Sequence, residues 1–108
     1  MDVFRYVSPS GRIVVNDWLD ALHDPRAAVK ITMRINRLSE GNLGDCRPLR
    51  NGVWELRIDW GPGYRVYYAK VGKVCLLLLC GGDKRSQSAD IDRALAFFED
   101  YKRRMHRQ

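Results

Sequence analysis

The sequence predicts a small domain of mixed helix and strand, with the two kinds of element segregated along the chain. Three observations carry this. Apolar residues recur at helical spacing within the first 43 residues, at a period of two from Val53 to Tyr68, and at helical spacing again after Ser88. At 108 residues the chain supports one domain and leaves no room for a second core.

The elements follow in order. Val3 to Tyr6 reads as a short strand, closed by the turn residues Ser8-Pro9-Ser10-Gly11. Val14, Trp18, Ala21 and Leu22 fall on one stripe of a short helix. Asp24-Pro25 starts a second helix: Asp accepts a free N–H of the first turn, and Pro at the first position lacks a donor that would be orphaned anyway. Ala28, Ile31, Ile35 and Leu38 form its apolar stripe, and Gly41 is expected to close it. These residues read as one strand and a helical hairpin. Trp54, Leu56, Ile58 and Trp60 then alternate with more polar residues, as do Tyr64, Val66 and Tyr68 after Gly61-Pro62-Gly63, giving two half-buried strands. Val74 to Cys80 is apolar without alternation, so both its faces are covered and it should be an inner strand. After Gly81-Gly82, a last helix places Ile91, Ala94, Leu95, Phe98 and Tyr101 on one side, with Ser88 and Asp90 suited to its first turn.

Composition excludes several classes. With 45% hydrophobic and 30% charged residues the chain is not disordered. No apolar stretch approaches the ~18 residues that span a bilayer. Met1-Asp2-Val3-Phe4-Arg5 has neither the basic nor the apolar region of a secretory signal, so a cytoplasmic protein is expected. Cys46, Cys75 and Cys80 form no CxxC pair and read as reduced thiols; no metal site and no cofactor is expected. The net charge of +6 is uneven. Residues 1–46 balance, residues 47–85 carry 8 basic side chains against 3 acidic ones, and the tail adds Lys102, Arg103, Arg104 and Arg107. Such clustering favours a polyanionic partner.

The chemistry-bearing residues lie on the hairpin. A three-residue loop at Gly61-Pro62-Gly63 would place Trp60 opposite Tyr64, Ile58 opposite Val66 and Leu56 opposite Tyr68 on one apolar face. The other face would carry Arg57 opposite Tyr67 and Arg65 opposite Asp59, making the two arginines diagonal neighbours ~7–8 Å apart. Two guanidiniums so placed grip one phosphate, or two consecutive ones, by bidentate hydrogen bonds. Lys84, just past Gly81-Gly82, would reach the same face. The pattern also fits solvated arginines, with Arg65 and Asp59 an ordinary cross-strand pair. The glycines are not a phosphate-cradling P-loop, since no GK[ST] follows them.

One succession is more specific than any of its parts: Gly44-Asp45, Gly52-Val53-Trp54-Glu55-Leu56-Arg57, Gly61-Pro62-Gly63-Tyr64-Arg65-Val66-Tyr67-Tyr68 and Leu79-Cys80-Gly81-Gly82-Asp83-Lys84-Arg85-Ser86-Gln87. With Trp18-Leu19-Asp20-Ala21-Leu22 and Arg34-Ile35-Asn36-Arg37-Leu38 upstream, it resembles the RelE/HigB toxins of bacterial toxin–antitoxin systems, and most closely their phage Gp49-like addiction module killer branch. The resemblance implies a small α+β fold of the RelE/ParE kind: an N-terminal helical hairpin packed on a small twisted antiparallel sheet, with a C-terminal helix. It implies an endoribonuclease that cleaves mRNA on the translating ribosome without a metal, held inactive by a cognate antitoxin of the helix-turn-helix type. By the same resemblance Arg57, Arg65 and Lys84 form the catalytic site.

In that chemistry the substrate's 2′-OH attacks the adjacent phosphorus, and prepositioned cations stabilise the charge that gathers on the phosphorane oxygens. Lys84 would stabilise that charge or protonate the leaving 5′-oxygen. Tyr67 and Asp90 are the candidates for acid or base, each also readable as structural, the one packing across the sheet and the other closing a helix N-terminus. Arg47, Arg50, Lys73, Arg85, Arg103 and Arg104 are the further candidates for RNA contact. Two other readings stay open: a ParE-like toxin, which shares the scaffold and blocks DNA gyrase without cutting RNA, and an inactive nucleic-acid-binding prophage remnant.

Overall fold

In the computed structural model, which describes residues 1–106, the chain forms an α+β domain. In order its elements are β1 (Asp2–Arg5), α1 (Val14–Ala21), α2 (Pro25–Ser39), β2 (Cys46–Pro48), β3 (Val53–Ile58), β4 (Tyr64–Val71), β5 (Cys75–Asp83), a 3-10 turn at Lys84–Ser86, and α3 (Gln87–His106). Local signals account for most boundaries. Asp24 caps α2, its side chain accepting from Arg26 N at 2.9 Å, with Pro25 first in the helix. Past the C-terminus of α2, Gly41 takes a φ of +90°, as a helix-closing residue must.

The five strands form one sheet in the order β1-β5-β4-β3-β2. It is mixed rather than wholly antiparallel as expected: β1 runs parallel to β5, from Asp2 beside Cys75 to Arg5 beside Leu78. Hydrophobic period reveals that a segment is a strand but not its direction. β5 is an inner strand, as its unbroken apolar run predicts, and α1 and α3 cover its opposite faces. The short strand β2 was not foreseen, although its signal is present: Asn51 and Gly52, both at positive φ (54° and 85°), form the tight turn into β3.

The helical pair is also corrected. It follows a strand, and the two helices do not form a hairpin packed on itself. α1 lies mainly on β5 and α2 on β3, both on the same face of the sheet. An extended link and one distant contact account for this. Leu22 and Asp24, on the link, are extended, and bare Gly81 lets the Trp18 ring settle onto β5: a Cβ there would lie 2.3 Å from the ring. Beneath Leu56, Val66, Tyr68, Leu76 and Leu78, α2 buries Ile31, Ile35 and Leu38 of its expected stripe, whereas α1 buries Val15 with Trp18 and Leu22 against it, Val14 turning to the α3 side and Ala21 lying exposed. The other face, with Val53, Tyr67, Ala69, Leu77 and Leu79, packs against α3 through Ala94, Ile91, Leu95 and Phe98.

Candidate functional site

The β3–β4 register fixes the site. Arg57 stands directly opposite Arg65, Ile58 opposite Tyr64 and Leu56 opposite Val66. The connecting loop is therefore Asp59–Gly63, two residues longer than the three-residue loop expected, with Trp60 N bonded back to Ile58 O and Gly63 N to Trp60 O. A slip of two residues keeps every side chain on its expected face. The two arginines still share a face, now as direct partners instead of diagonal neighbours.

Two like charges directly opposite are destabilising unless an anion offsets them. Glu55, two residues before Arg57 on the same face, is that anion. Its carboxylate is wholly buried, with Oε1 at 3.7 Å from Arg57 Nε and 4.0 Å from Arg65 Nη1. Its closest partners are others: Arg47 Nε donates to Oε1 at 3.1 Å and Gln87 Nε2 to Oε2 at 2.9 Å. One carboxylate thus gathers three guanidiniums and the first residue of α3 without hydrogen-bonding the facing pair. The alternation of β3 puts Glu55 and Arg57 on one face, and that alternation is the sequence signal for this hub.

Arg57 and Arg65 line a cleft of about 320 Å³ together with Lys84, Asp45, Asp59 and Gly63. Arg65 was expected on an open face. Its side chain is only 7% exposed, because α3 closes over that side of the sheet, and its Nε is buried with no hydrogen-bond partner. A buried guanidinium with an unused donor is unfavourable on its own and favours an anion in the cleft. Asp45 is held beside Arg57, whose N–H donates to the Asp45 carbonyl at 2.8 Å. Lys84 sits exposed in the 3-10 turn, its stem against Gly63.

The other expected residues are placed elsewhere. Tyr67 is fully buried in the α3-side core, and burial first, then the Glu55 charge, pushes its hydroxyl well above the ordinary tyrosine range. Asp90 lies against Gly82 and accepts from Ser86 Oγ and from Arg93 Nη1 at 3.1 Å. Neither lines the cleft. Of the six residues expected to contact RNA, Arg47 is bound to Glu55, Arg50 faces Asp92 at 3.5 Å, and Arg85 pairs with Asp83 at 3.1 Å. Lys73 lies in the β4–β5 turn, at the far end of β4 from Arg65. Arg103 and Arg104 both pair with Asp100, and Arg104 also donates to the Val7 carbonyl and covers the Tyr6 ring. Arg107 lies outside the described residues. Among the described residues, no three His, Cys, Asp or Glu side chains gather as a metal ion would require. No helix is long and apolar enough to cross a membrane.

The buried hydroxyls and thiol give a pH expectation. Burial pushes Tyr67 and Tyr68 up, takes Tyr6 to about 12 with help from its bond to Asp100, and takes the Cys80 thiol from 9.0 to about 12. In the unfolded chain these groups ionise at ordinary values. The stability they confer is therefore complete below about pH 9 and is lost as pH rises toward and past 12. Each group that ionises only when unfolded steepens the loss by about 1.4 kcal/mol per pH unit. Urea midpoints measured from pH 8 to 11 should fall with a slope that increases above pH 9; a flat profile would contradict the burial of these side chains.

The fold and the site define a class: a small α+β domain with two facing arginines and a lysine lining one cleft beside a hairpin loop. The family model for phage-derived protein Gp49-like (DUF891) matches residues 17–99, which contain the whole cleft. The chain therefore belongs to the Gp49-like family, which is associated with toxin–antitoxin modules. It is also similar to an uncharacterized protein of Haemophilus influenzae (strain Rd), 48% identical over 82 residues that cover 76% of this chain and 83% of the relative.

Proposed function

We propose that the protein is the toxin of a type II toxin–antitoxin module, of the RelE/HigB type, and that it cleaves mRNA on the translating ribosome without a metal. The observation that carries this reading is Arg65: a buried guanidinium with an unused donor, facing Arg57 across the hairpin and Lys84 at the rim. A phosphodiester satisfies all three. The 2′-oxygen bonds to phosphorus while the P–O5′ bond breaks, leaving a 2′,3′-cyclic phosphate and a 5′-OH. Arg57 and Arg65 stay protonated and stabilise the phosphorane oxygens, where donors act more strongly on the transition state than on the ground state. Lys84 delivers the proton to the departing O5′. The proton of the 2′-OH passes to a rim carboxylate, Asp45 or Asp59, because Tyr67 and Asp90 are withdrawn from the cleft. A site with so weak a base is slow unless the substrate is held in an attacking geometry, and the ribosome supplies that alignment. A cognate antitoxin of the helix-turn-helix type completes the module.

The test is incubation of the protein with purified translating ribosomes carrying a defined mRNA, followed by mapping of new 5′ ends. Cleavage within the A site, leaving 5′-OH ends and 2′,3′-cyclic phosphates, is expected. Intact mRNA would overturn the assignment.

A further inference from the structure

α2 carries Arg26, Lys30, Arg34 and Arg37 at spacings of four, four and three, so all four share one face, and the helix contains no acidic residue. Among the described residues, none of Lys30, Arg34 and Arg37 lies within 4.0 Å of a carboxylate oxygen. The cations of α3 differ. Lys102 pairs with Glu99 at 2.8 Å, and Arg103 and Arg104 share Asp100. Among the described residues, α2 thus carries a run of positive charge without acidic partners that the cations of α3 do not match.

This face opens into a groove of about 240 Å³, lined by Lys30, Arg34 and Arg37 on one side and by Asp59 and Trp60 of the β3–β4 loop on the other. The Trp60 ring steadies the cations, with Lys30 Nζ at 5.5 Å and the Arg26 guanidinium at 5.7 Å from its centroid. Arg34 is held differently. Its guanidinium lies against Gly44, where a Cβ would come within 2.5 Å of Nη2, and that Nη2 is buried with no hydrogen-bond partner. This is the same condition as Arg65: a fixed guanidinium with a donor left over. The groove also shares Ile58 and Asp59 with the Arg57–Arg65–Lys84 cleft, so the two open on either side of one loop.

From this geometry we infer that the α2 groove is a second phosphate-binding site, which holds RNA backbone flanking the diester in the cleft. The inference rests on the nuclease reading above. The chemistry favours RNA over an acidic protein. The three cations of the groove outnumber its one carboxylate, Asp59, the Arg34 guanidinium matches a planar two-oxygen acceptor, and the groove adjoins the cleft at Ile58 and Asp59. The backbone reaching it comes either from the cleaved strand itself or from a folded RNA beside it.

The test is fluorescence anisotropy of labelled RNAs with a 2′-deoxy scissile position, titrated over a range of salt with the full chain and with a Lys30→Gln/Arg37→Gln double variant. Both positions are exposed, and an unchanged thermal midpoint would verify folding. A dinucleotide, which reaches only the cleft, should bind both proteins equally. A longer single strand, or a hairpin RNA, should bind the double variant about tenfold more weakly, with the salt slope shallower by about 1.4 for the single strand or about 1.8 for the duplex after two lost contacts. Loss with the single strand alone assigns the groove to the cleaved strand, and loss with the hairpin alone to a folded RNA. Equal affinity and slope for both long RNAs would overturn the inference, as would a loss confined to polyglutamate binding, which would hand the groove to an acidic protein. An Arg65→Gln variant separates the two readings: weakened dinucleotide binding there upholds the cleft whatever the α2 variant does.

Discussion

Replacing Arg65 with Ala is expected to lower mRNA cleavage on translating ribosomes by about 10²- to 10³-fold, the usual loss when one prepositioned donor to a developing oxyanion is removed. The side chain is nearly enclosed, so water cannot substitute for it, and Arg57 alone cannot reproduce a two-sided grip. Arg65→Lys should recover only part of the rate, because a point charge replaces a planar fork. The same variant has a readout independent of cleavage. Inorganic phosphate or sulfate that occupies the cleft of the parent raises its thermal midpoint by mass action. That increment should vanish in Arg65→Ala while the midpoint without the anion changes little, since Glu55 keeps its closer partners Arg47 and Gln87. An Arg65→Ala protein that cuts as fast as the parent, and is stabilised as much by sulfate, would remove the basis of the nuclease reading.

Why the sequence disclosed some of this and hid the rest follows from what periodicity encodes. Alternation assigned Arg57 and Arg65 to one face, and that survived a loop two residues longer than expected because a slip of two preserves the parity of a strand. Burial of that face was not legible. It depends on α3 folding back over β3 and β4, a long-range contact that no local window reports. The same holds for the direction of β1 and for the separate seating of α1 and α2, which is decided by Trp18 meeting Gly81 some sixty residues later. Charge summed along the chain misled in a second way. Residues 1–46 balance, yet the acids fall at Asp2, Asp17, Asp20, Asp24, Glu40 and Asp45, all outside α2, while four bases line one face of it. A sum over a segment averages away what a helix sorts by face. The basic tail shows the converse, since Arg103 and Arg104 look free in sequence and are paired at i+3 and i+4 with Asp100.

Glu55→Ala is expected to be the most destabilising substitution at the site, at about 3–5 kcal/mol, because it leaves Arg47, Arg57 and Arg65 crowded around a buried position with no carboxylate. In a domain of this size that is a fall in thermal midpoint of more than about 10 °C. Two details distinguish an anionic hub from a side chain that merely fills space. Glu55→Gln, nearly isosteric and still able to accept from Arg47, should fall between the parent and the Ala variant, since it removes the charge and keeps the shape. Sulfate or phosphate should stabilise Glu55→Ala more than it stabilises the parent, because an anion in the cleft then offsets three guanidiniums instead of the two that Glu55 leaves in excess. Thermal melts of the three proteins with and without sulfate read both effects. If Glu55→Gln matches the parent and added sulfate shifts all three alike, the carboxylate is not what holds the arginines together. The facing pair would then owe its geometry to the β3–β4 register alone.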